Sequence, residues 1–140
     1  PSPTPLMMFM VRERGLPYGM AVTASHNPPE YNGYKVYDET GCQLIPELAD
    51  EVSAYVDQVE DPLAIEISDF PEENIQIVNT EVDEAYYEAG LGFRLRKDID
   101  TKALKIIFSP EHGASNIPVT KVLQKAGFDF EVVAKQTNCC

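Results

Sequence analysis

The 140 residues include no tryptophan, two histidines, three cysteines, and eleven lysines and arginines against twenty-three aspartates and glutamates. Each shortage excludes something. With a net charge of −12 there is no broad cationic surface to hold a phosphate backbone, so nucleic acid is not an expected partner. A sugar phosphate is still compatible, because a small site can be positive within a negative field. No apolar run approaches the roughly 20 residues a membrane helix needs, and no charged-then-apolar leader is visible, so membrane association is not expected. Cys42, Cys139 and Cys140 have the spacing of neither a zinc ribbon nor a disulfide framework, and free thiols in a reducing compartment are expected. Internal repeats and low-complexity tracts are absent.

What is present is ordinary globular composition: 44% hydrophobic residues, eleven prolines and eight glycines. Thr4-Pro5 followed by Leu6 to Val11 reads as a capped helix that ends in Arg12-Glu13-Arg14 and stops at Gly15. Met7, Met8 and Met10 read as core filling. A strand over Met20 to Thr23 and a return strand over Tyr34 to Tyr37 are expected, with a turn at Asp38-Glu39-Thr40-Gly41. Pro46 starts a second helix, expected to run to about Val59. Leu48, Val52, Tyr55, Val56 and Val59 would form its apolar stripe. Glu47, Asp50 and Glu51 crowd its first turns and are read as dipole-compensating rather than metal-binding.

Residues 61 to 80 read as a connecting region with extended pieces at Ala64 to Ile67 and Ile75 to Val78. The composition shift there puts a domain boundary between 76 and 77. A helix over Glu81 to Gly92 follows, with Val82, Ala85, Tyr86 and Ala89 on one face and Tyr86-Tyr87 in a packing role. Leu104 to Phe108 is expected as a buried strand, Ser109 to Ser115 as a loop, Pro118 to Ala126 as a helix closed by Gly127, and Phe128 to Val133 as the next strand. That order is a β-loop-α-β unit, so the fold class is α/β in two partial domains, 1–76 and 77–140. Ligands of such sheets bind at the carboxyl ends of the strands, where Ser109 to Ser115 lies.

The chemistry concentrates between the first two strands, in Thr23-Ala24-Ser25-His26-Asn27-Pro28-Pro29-Glu30-Tyr31-Asn32-Gly33-Tyr34-Lys35. It combines a hydroxyl nucleophile (Ser25), an adjacent imidazole (His26) and an ammonium ten positions on (Lys35), on a turn stiffened by two prolines. A hydrolase triad is disfavoured: no Gly-x-Ser-x-Gly elbow is present, and side chains adjacent in an extended strand point to opposite faces. Phosphoryl transfer asks less of its nucleophile, because its loose transition state needs mainly positioning and charge neutralisation.

Thr23 to Pro28, with Lys35 after them, resemble the phosphoserine loop of the α-D-phosphohexomutases. The wording Pro28 to Tyr37 is most similar to the phosphoglucomutase branch, and Ser109-Pro110-Glu111-His112-Gly113 resembles a Pro-x-His-Gly loop that opens the family's second domain. The resemblance implies mixed-sheet α/β domains, with 1–76 as the C-terminal part of domain 1 and 77–140 as the N-terminal part of domain 2. It implies a cytoplasmic enzyme of carbohydrate metabolism that interconverts glucose 1-phosphate and glucose 6-phosphate through a bisphosphate. Mannose, glucosamine and pentose phosphates are alternative substrates. Ser25 would be the phosphoserine and, through its phosphoryl oxygen, a Mg²⁺ ligand. His26 would hold phosphoryl oxygens, and Lys35 would be the acid/base partner or charge clamp. Glucose 1,6-bisphosphate would be activator and intermediate, and a hexose phosphate the partner molecule. The family's Asp-Gly-Asp-x-Asp-Arg magnesium loop is not in the sequence; Asp98 and Asp100 lack its glycine and third aspartate. With an opening Pro-Ser-Pro-Thr-Pro and no initiating methionine, a piece of a longer protein, inactive alone, is expected. The rival from another class is a sugar-phosphate-binding module without catalysis.

Overall fold

A computed structural model describes residues 2–28, 30–67, 69, 71–78 and 80–138. Pro29 of the proline pair and the terminal cysteines Cys139 and Cys140 lie outside the described residues. The chain divides into two compact units, Met7–Val78 and Pro1–Leu6 with Asn79–Cys140. Both combine helices with a two-stranded sheet, so the fold class is α/β. Among the described residues no helix is long and apolar enough to cross a membrane.

In the unit Met7–Val78, strands β1 (Tyr18–Val22) and β2 (Tyr34–Asp38) pair antiparallel, with Tyr18 opposite Asp38, Ala21 opposite Lys35 and Val22 opposite Tyr34. Side chains alternate across a strand, so Gly19, Ala21, Lys35 and Tyr37 share one face. Helix α1 (Thr4–Arg14) packs on that face. A Cβ on Gly19 would stand 2.6 Å from both the Met7 sulfur and a Val11 methyl, so the helix approaches as closely as a bare backbone permits. Val11 is fully buried there and Tyr37 nearly so. Gly15, at φ +59°, ends α1 as expected, and Leu16 N–H donates to the Val11 carbonyl across it.

Helix α2 (Pro46–Val56) stops one turn short of the expected Val59. Its last rungs, Gln58 N–H to Tyr55 and Val59 N–H to Val56, tighten to three-residue spacing. Of the expected apolar stripe Val52 is half-buried, while Leu48, Tyr55, Val56 and Val59 are exposed; Ala49, Val52 and Ser53 border a cavity beside β2. The pieces expected as extended, 64–67 and 75–78, form no strand among the described residues. The 3₁₀ turns Pro62–Ala64 and Glu72–Asn74 stand beside them. Asp61 accepts Leu63 N–H and so caps the first of these turns, which gives the chain a local alternative to a ladder.

In the other unit, β3 (Lys105–Phe108) and β4 (Asp129–Val132) pair in parallel through α4 (Asn116–Lys125), the expected β-loop-α-β connection. Helix α3 (Thr80–Gly92) packs beside α4, burying Val82 and Tyr87, while Lys125 reaches back to Glu84 at 2.9 Å and Glu88 at 2.8 Å. Gly127, at φ +78°, closes α4, and the Thr101 hydroxyl donates to its carbonyl at 2.7 Å. β3 is covered on one face only. Ile106 and Phe108 are half-buried while Ile107 is 73% exposed, against the expectation of a buried strand.

Candidate functional site

The hairpin delivers the polar loop. The ladder continues one step past the strands, with Thr23 N–H donating to the Gly33 carbonyl at 2.9 Å. Between those anchors the loop is closed by turns: Asn27 N–H donates to Ala24, Tyr31 N–H to Pro28, and Gly33 N–H to the Asn32 side-chain oxygen. Asn and Pro supply such turns because they bond or pre-set the local backbone.

Ser25 has φ +60°, a left-handed conformation that L-residues seldom adopt. Its N–H donates to the Thr23 hydroxyl oxygen at 3.1 Å. Its Oγ lies 3.3 Å from His26 Nδ1, within hydrogen-bonding distance, with the direction of donation set by the imidazole tautomer. The strand-alternation argument that separated Ser25 from His26 therefore fails. Neither residue is in the strand, and the left-handed turn at Ser25 brings the two side chains to one side. Both are exposed. A strained, exposed non-glycine residue at a loop tip is held by its surroundings, and such residues cluster at functional sites.

Lys35 stands elsewhere on the hairpin, half-buried on the face shared with Ala21 and Tyr37, with no hydrogen bond to Ser25 or His26 among the described residues. It borders a cavity of about 170 Å³ with Val36, Gln43, Leu44, Val52 and Ser53. Small-molecule pockets usually start at roughly 300 Å³, so this cavity alone does not enclose a sugar phosphate. The turn after β2 is organised by Asp38, whose carboxylate accepts from the Thr40 hydroxyl and from the Thr40 and Cys42 N–H groups. The Thr40 hydroxyl bond is the main force holding that carboxyl below its ordinary value.

The second loop, 109–115, follows β3 at the carboxyl end of the parallel pair. Glu111 and His112 both have positive φ, at 50° and 62°. His112 N–H donates to the Gln136 carbonyl at 3.0 Å and His112 Nδ1–H to the Asn138 carbonyl at 2.9 Å, while the Ser109 hydroxyl bonds Gln136. These bonds fasten the loop to the segment after β4 and account for the histidine structurally.

The residues present do not fit a magnesium ion by themselves. Among the described residues no three His, Cys, Asp or Glu side chains cluster as a metal site. Asp98 is paired with Arg96 at 3.2 Å, and Asp100 caps the turn at Lys102. Ser25 offers one oxygen, whereas Mg²⁺ takes near-octahedral oxygen ligation.

A family model described as phosphoglucomutase/phosphomannomutase, alpha/beta/alpha domain I, matches residues 1–62. Phosphoglucomutases of Staphylococcus saprophyticus and Staphylococcus epidermidis are each 37% identical to this chain, over 139 and 137 residues, 96% and 95% of its length. Residues 1–62 thus match the first domain of the phosphoglucomutase/phosphomannomutase family, and nearly the whole chain is similar to phosphoglucomutases. A solved structure described as a phosphomannomutase, from Thermus thermophilus, superposes with a TM-score of 0.76 at 27% identity. The match covers 99% of this chain and 30% of that one. The chain spans about a quarter of the length of the curated relatives it matches, 25% in both staphylococcal cases.

One residue that the sequence reading left without a role is Thr23, whose hydroxyl bonds the Ser25 backbone. The available signal was a threonine two positions before the serine in a turn-rich stretch, the spacing at which a hydroxyl accepts a backbone N–H.

Proposed function

We propose that Ser25 is the phosphoryl carrier of a phosphohexomutase, with glucose 1-phosphate and glucose 6-phosphate as the interconverted pair. The observation that supports it is the presentation of Ser25: an exposed hydroxyl on a left-handed residue, beside His26, on a loop anchored by the hairpin ladder. In the forward half-reaction the Ser25 Oγ–P bond breaks as a P–O bond forms to the free hydroxyl of the sugar monophosphate. The hydroxyl proton leaves to a base. The bisphosphate then turns over, its other phosphoryl group passes to Ser25 Oγ, and the proton returns to the sugar oxygen. Catalysis of this kind is positioning and charge compensation. His26 orients the hydroxyl and holds phosphoryl oxygens. Lys35 is the acid/base partner or charge clamp; among the described residues no carboxylate neutralises it within ion-pairing distance. Magnesium would need ligands beyond Ser25, which fits the reading that these 140 residues alone do not turn over substrate. A cytoplasmic setting and glucose 1,6-bisphosphate as activator belong to the same proposal.

The second reading, a sugar-phosphate-binding module without chemistry, is favoured by the lack of a carboxylate cluster among the described residues. A chimera separates the two. The 140 residues would replace the matching quarter of the Staphylococcus saprophyticus relative, and glucose 6-phosphate formation would be followed in a coupled assay. The expected result is turnover that disappears with Ser25→Ala. A folded but inactive chimera, or activity surviving Ser25→Ala, would overturn the carrier reading.

A further inference from the structure

The unit that holds β3 and β4 has an open cleft beside Phe128, the residue that leads into β4. The cleft therefore lies at the amino end of the parallel pair, whereas the 109–115 loop leaves its carboxyl end. Its volume is about 370 Å³, above the roughly 300 Å³ at which small-molecule pockets usually start. Phe93, Ile99, Val122 and Phe128 give it apolar walls, and Arg94 and Arg96 are the charged residues on its border.

The Arg94 guanidinium is held in place. Its Nε–H donates to the Arg96 carbonyl at 3.0 Å, and an Nη1–H donates to the carbonyl of Ala126, just past the end of α4, at 3.2 Å. It stands 6.0 Å from the centre of the Phe128 ring, within cation–π range. Arg94 is half-buried, and these two bonds leave the rest of its N–H donors for a ligand. Among the described residues no carboxylate lies within ion-pairing distance of it. Arg96 is already paired, with Asp98 at 3.2 Å. The Asp98 carboxyl is held below its ordinary value first by that Arg96 bond and also by the charge of Arg94. Two guanidiniums against one carboxylate leave a single positive charge at the cleft, in a chain whose net charge is −12.

These features select a ligand by charge and by shape. One positive charge balances a monoanion, while a phosphate dianion would bring a second negative charge into an acidic protein. The planar guanidinium matches a planar carboxylate. The rings of Phe93 and Phe128 suit a flat aromatic body. We propose that this cleft binds a small aromatic monocarboxylate, with its carboxylate on Arg94 and its ring against Phe93 and Phe128. The site does not depend on the reading of Ser25, and the two stand or fall separately.

The probe is 2-naphthoate, with 2-naphthamide as the same body without the charge and acetate as the charge without the body. Amide NMR titration of the 140-residue chain reads both location and affinity. The expected result is saturable shifts centred on residues 91–99 and 126–128, with 2-naphthamide and acetate each weaker by about tenfold or more. Arg94→Met keeps the apolar stem and removes the donors. It should weaken 2-naphthoate by about tenfold and leave 2-naphthamide unchanged. If circular dichroism shows that this variant does not fold, the comparison of acid with amide decides alone. Equal affinity for acid and amide, shifts centred elsewhere, or no saturation by about 10 mM would overturn the inference. The titration is repeated on the folded chimera by naphthoate fluorescence, where similar affinity is expected. Binding by the chain but not by the chimera would mean that the rest of the longer protein covers the cleft, and would overturn it too.

Discussion

Adding one methyl at Gly19 tests the packing that carries the loop. In Gly19→Ala the new Cβ would lie 2.6 Å from Met7 Sδ and 2.6 Å from Val11 Cγ2, well inside ordinary contact. The two neighbours differ in how they can yield. Met7 presents the far part of an unbranched side chain and can swing aside. Val11 is β-branched, fully buried and confined to one helical rotamer, so relief there requires the helix to move. Overpacking of this kind costs about 1–3 kcal/mol, and the backbone entropy saved by replacing glycine returns roughly 0.5–1 kcal/mol. With mid-range values for both, the net expectation is a loss of about 1 kcal/mol, or a fall of roughly 4–8 °C in the melting midpoint of a unit of this size. Urea and thermal unfolding followed by circular dichroism read it. Val11→Ala alone loses buried methyl groups, at about 0.8 kcal/mol per carbon before any cavity cost. In the double variant the methyl added at position 19 occupies space that the valine side chain vacates, so the double should be more stable than the sum of the singles by about 1 kcal/mol. Strict additivity, or a Gly19→Ala variant as stable as wild type, would refute the claim that α1 is seated directly on the hairpin backbone.

Three further outcomes follow from named groups. Ser25→Gly should be more stable than Ser25→Ala by about 0.5–1 kcal/mol, because glycine adopts positive φ without penalty; urea midpoints of the pair check it, and the reverse order would show that Ser25 is not left-handed. The Asp38 carboxyl, bonded first of all by the Thr40 hydroxyl, should titrate below its ordinary value of 3.8 in carboxyl-detected NMR. Because the folded value is the lower one, its stabilisation is fully present above the unfolded value and is lost as pH falls through the folded one; Asp38→Asn should remove that acid-side slope. The Lys125 ammonium is raised above its ordinary value of 10.5, first by the bond to Glu84 and then by that to Glu88. Its contribution is therefore present below 10.5 and fades as pH rises through the folded value. Lys125→Met should lower the melting midpoint slightly in dilute buffer, and the difference from wild type should shrink at about 1 M salt.

Much of this architecture was legible in the chain. The α1 stop was legible because Gly15 follows a cationic last turn, and the hairpin because two short apolar runs flank a proline-rich polar loop. The β3-α4-β4 unit was legible because Leu104 to Phe108 and Phe128 to Val133 bracket a helical period closed by Gly127. The ends and the coverage were harder to read. α2 stops at Val56 because its final rungs tighten, which no residue type announces. The runs around Ile65 and Ile77 have strand composition but no partner strand among the described residues, and burial by a partner is what a β-preference mostly measures. Ile107 looks like a core residue and is exposed, because strand alternation points it to the face opposite the half-buried Ile106 and Phe108. At the site, Ser25, His26 and Lys35 could be picked out by type, and their geometry could not. A positive φ at a serine runs against its own preference, so the residue type does not announce it, and it reversed the inference drawn from strand alternation.

The central claim is that the Ser25 oxygen carries the phosphoryl group. The direct measurement is intact mass with phosphopeptide mapping after incubation of the chimera with glucose 1,6-bisphosphate and Mg²⁺, with Ser25→Ala alongside. The predicted result is a single added phosphate, mapped to Ser25 and absent from the Ser25→Ala variant. Phosphate on another residue, or none on a folded chimera, would contradict the claim.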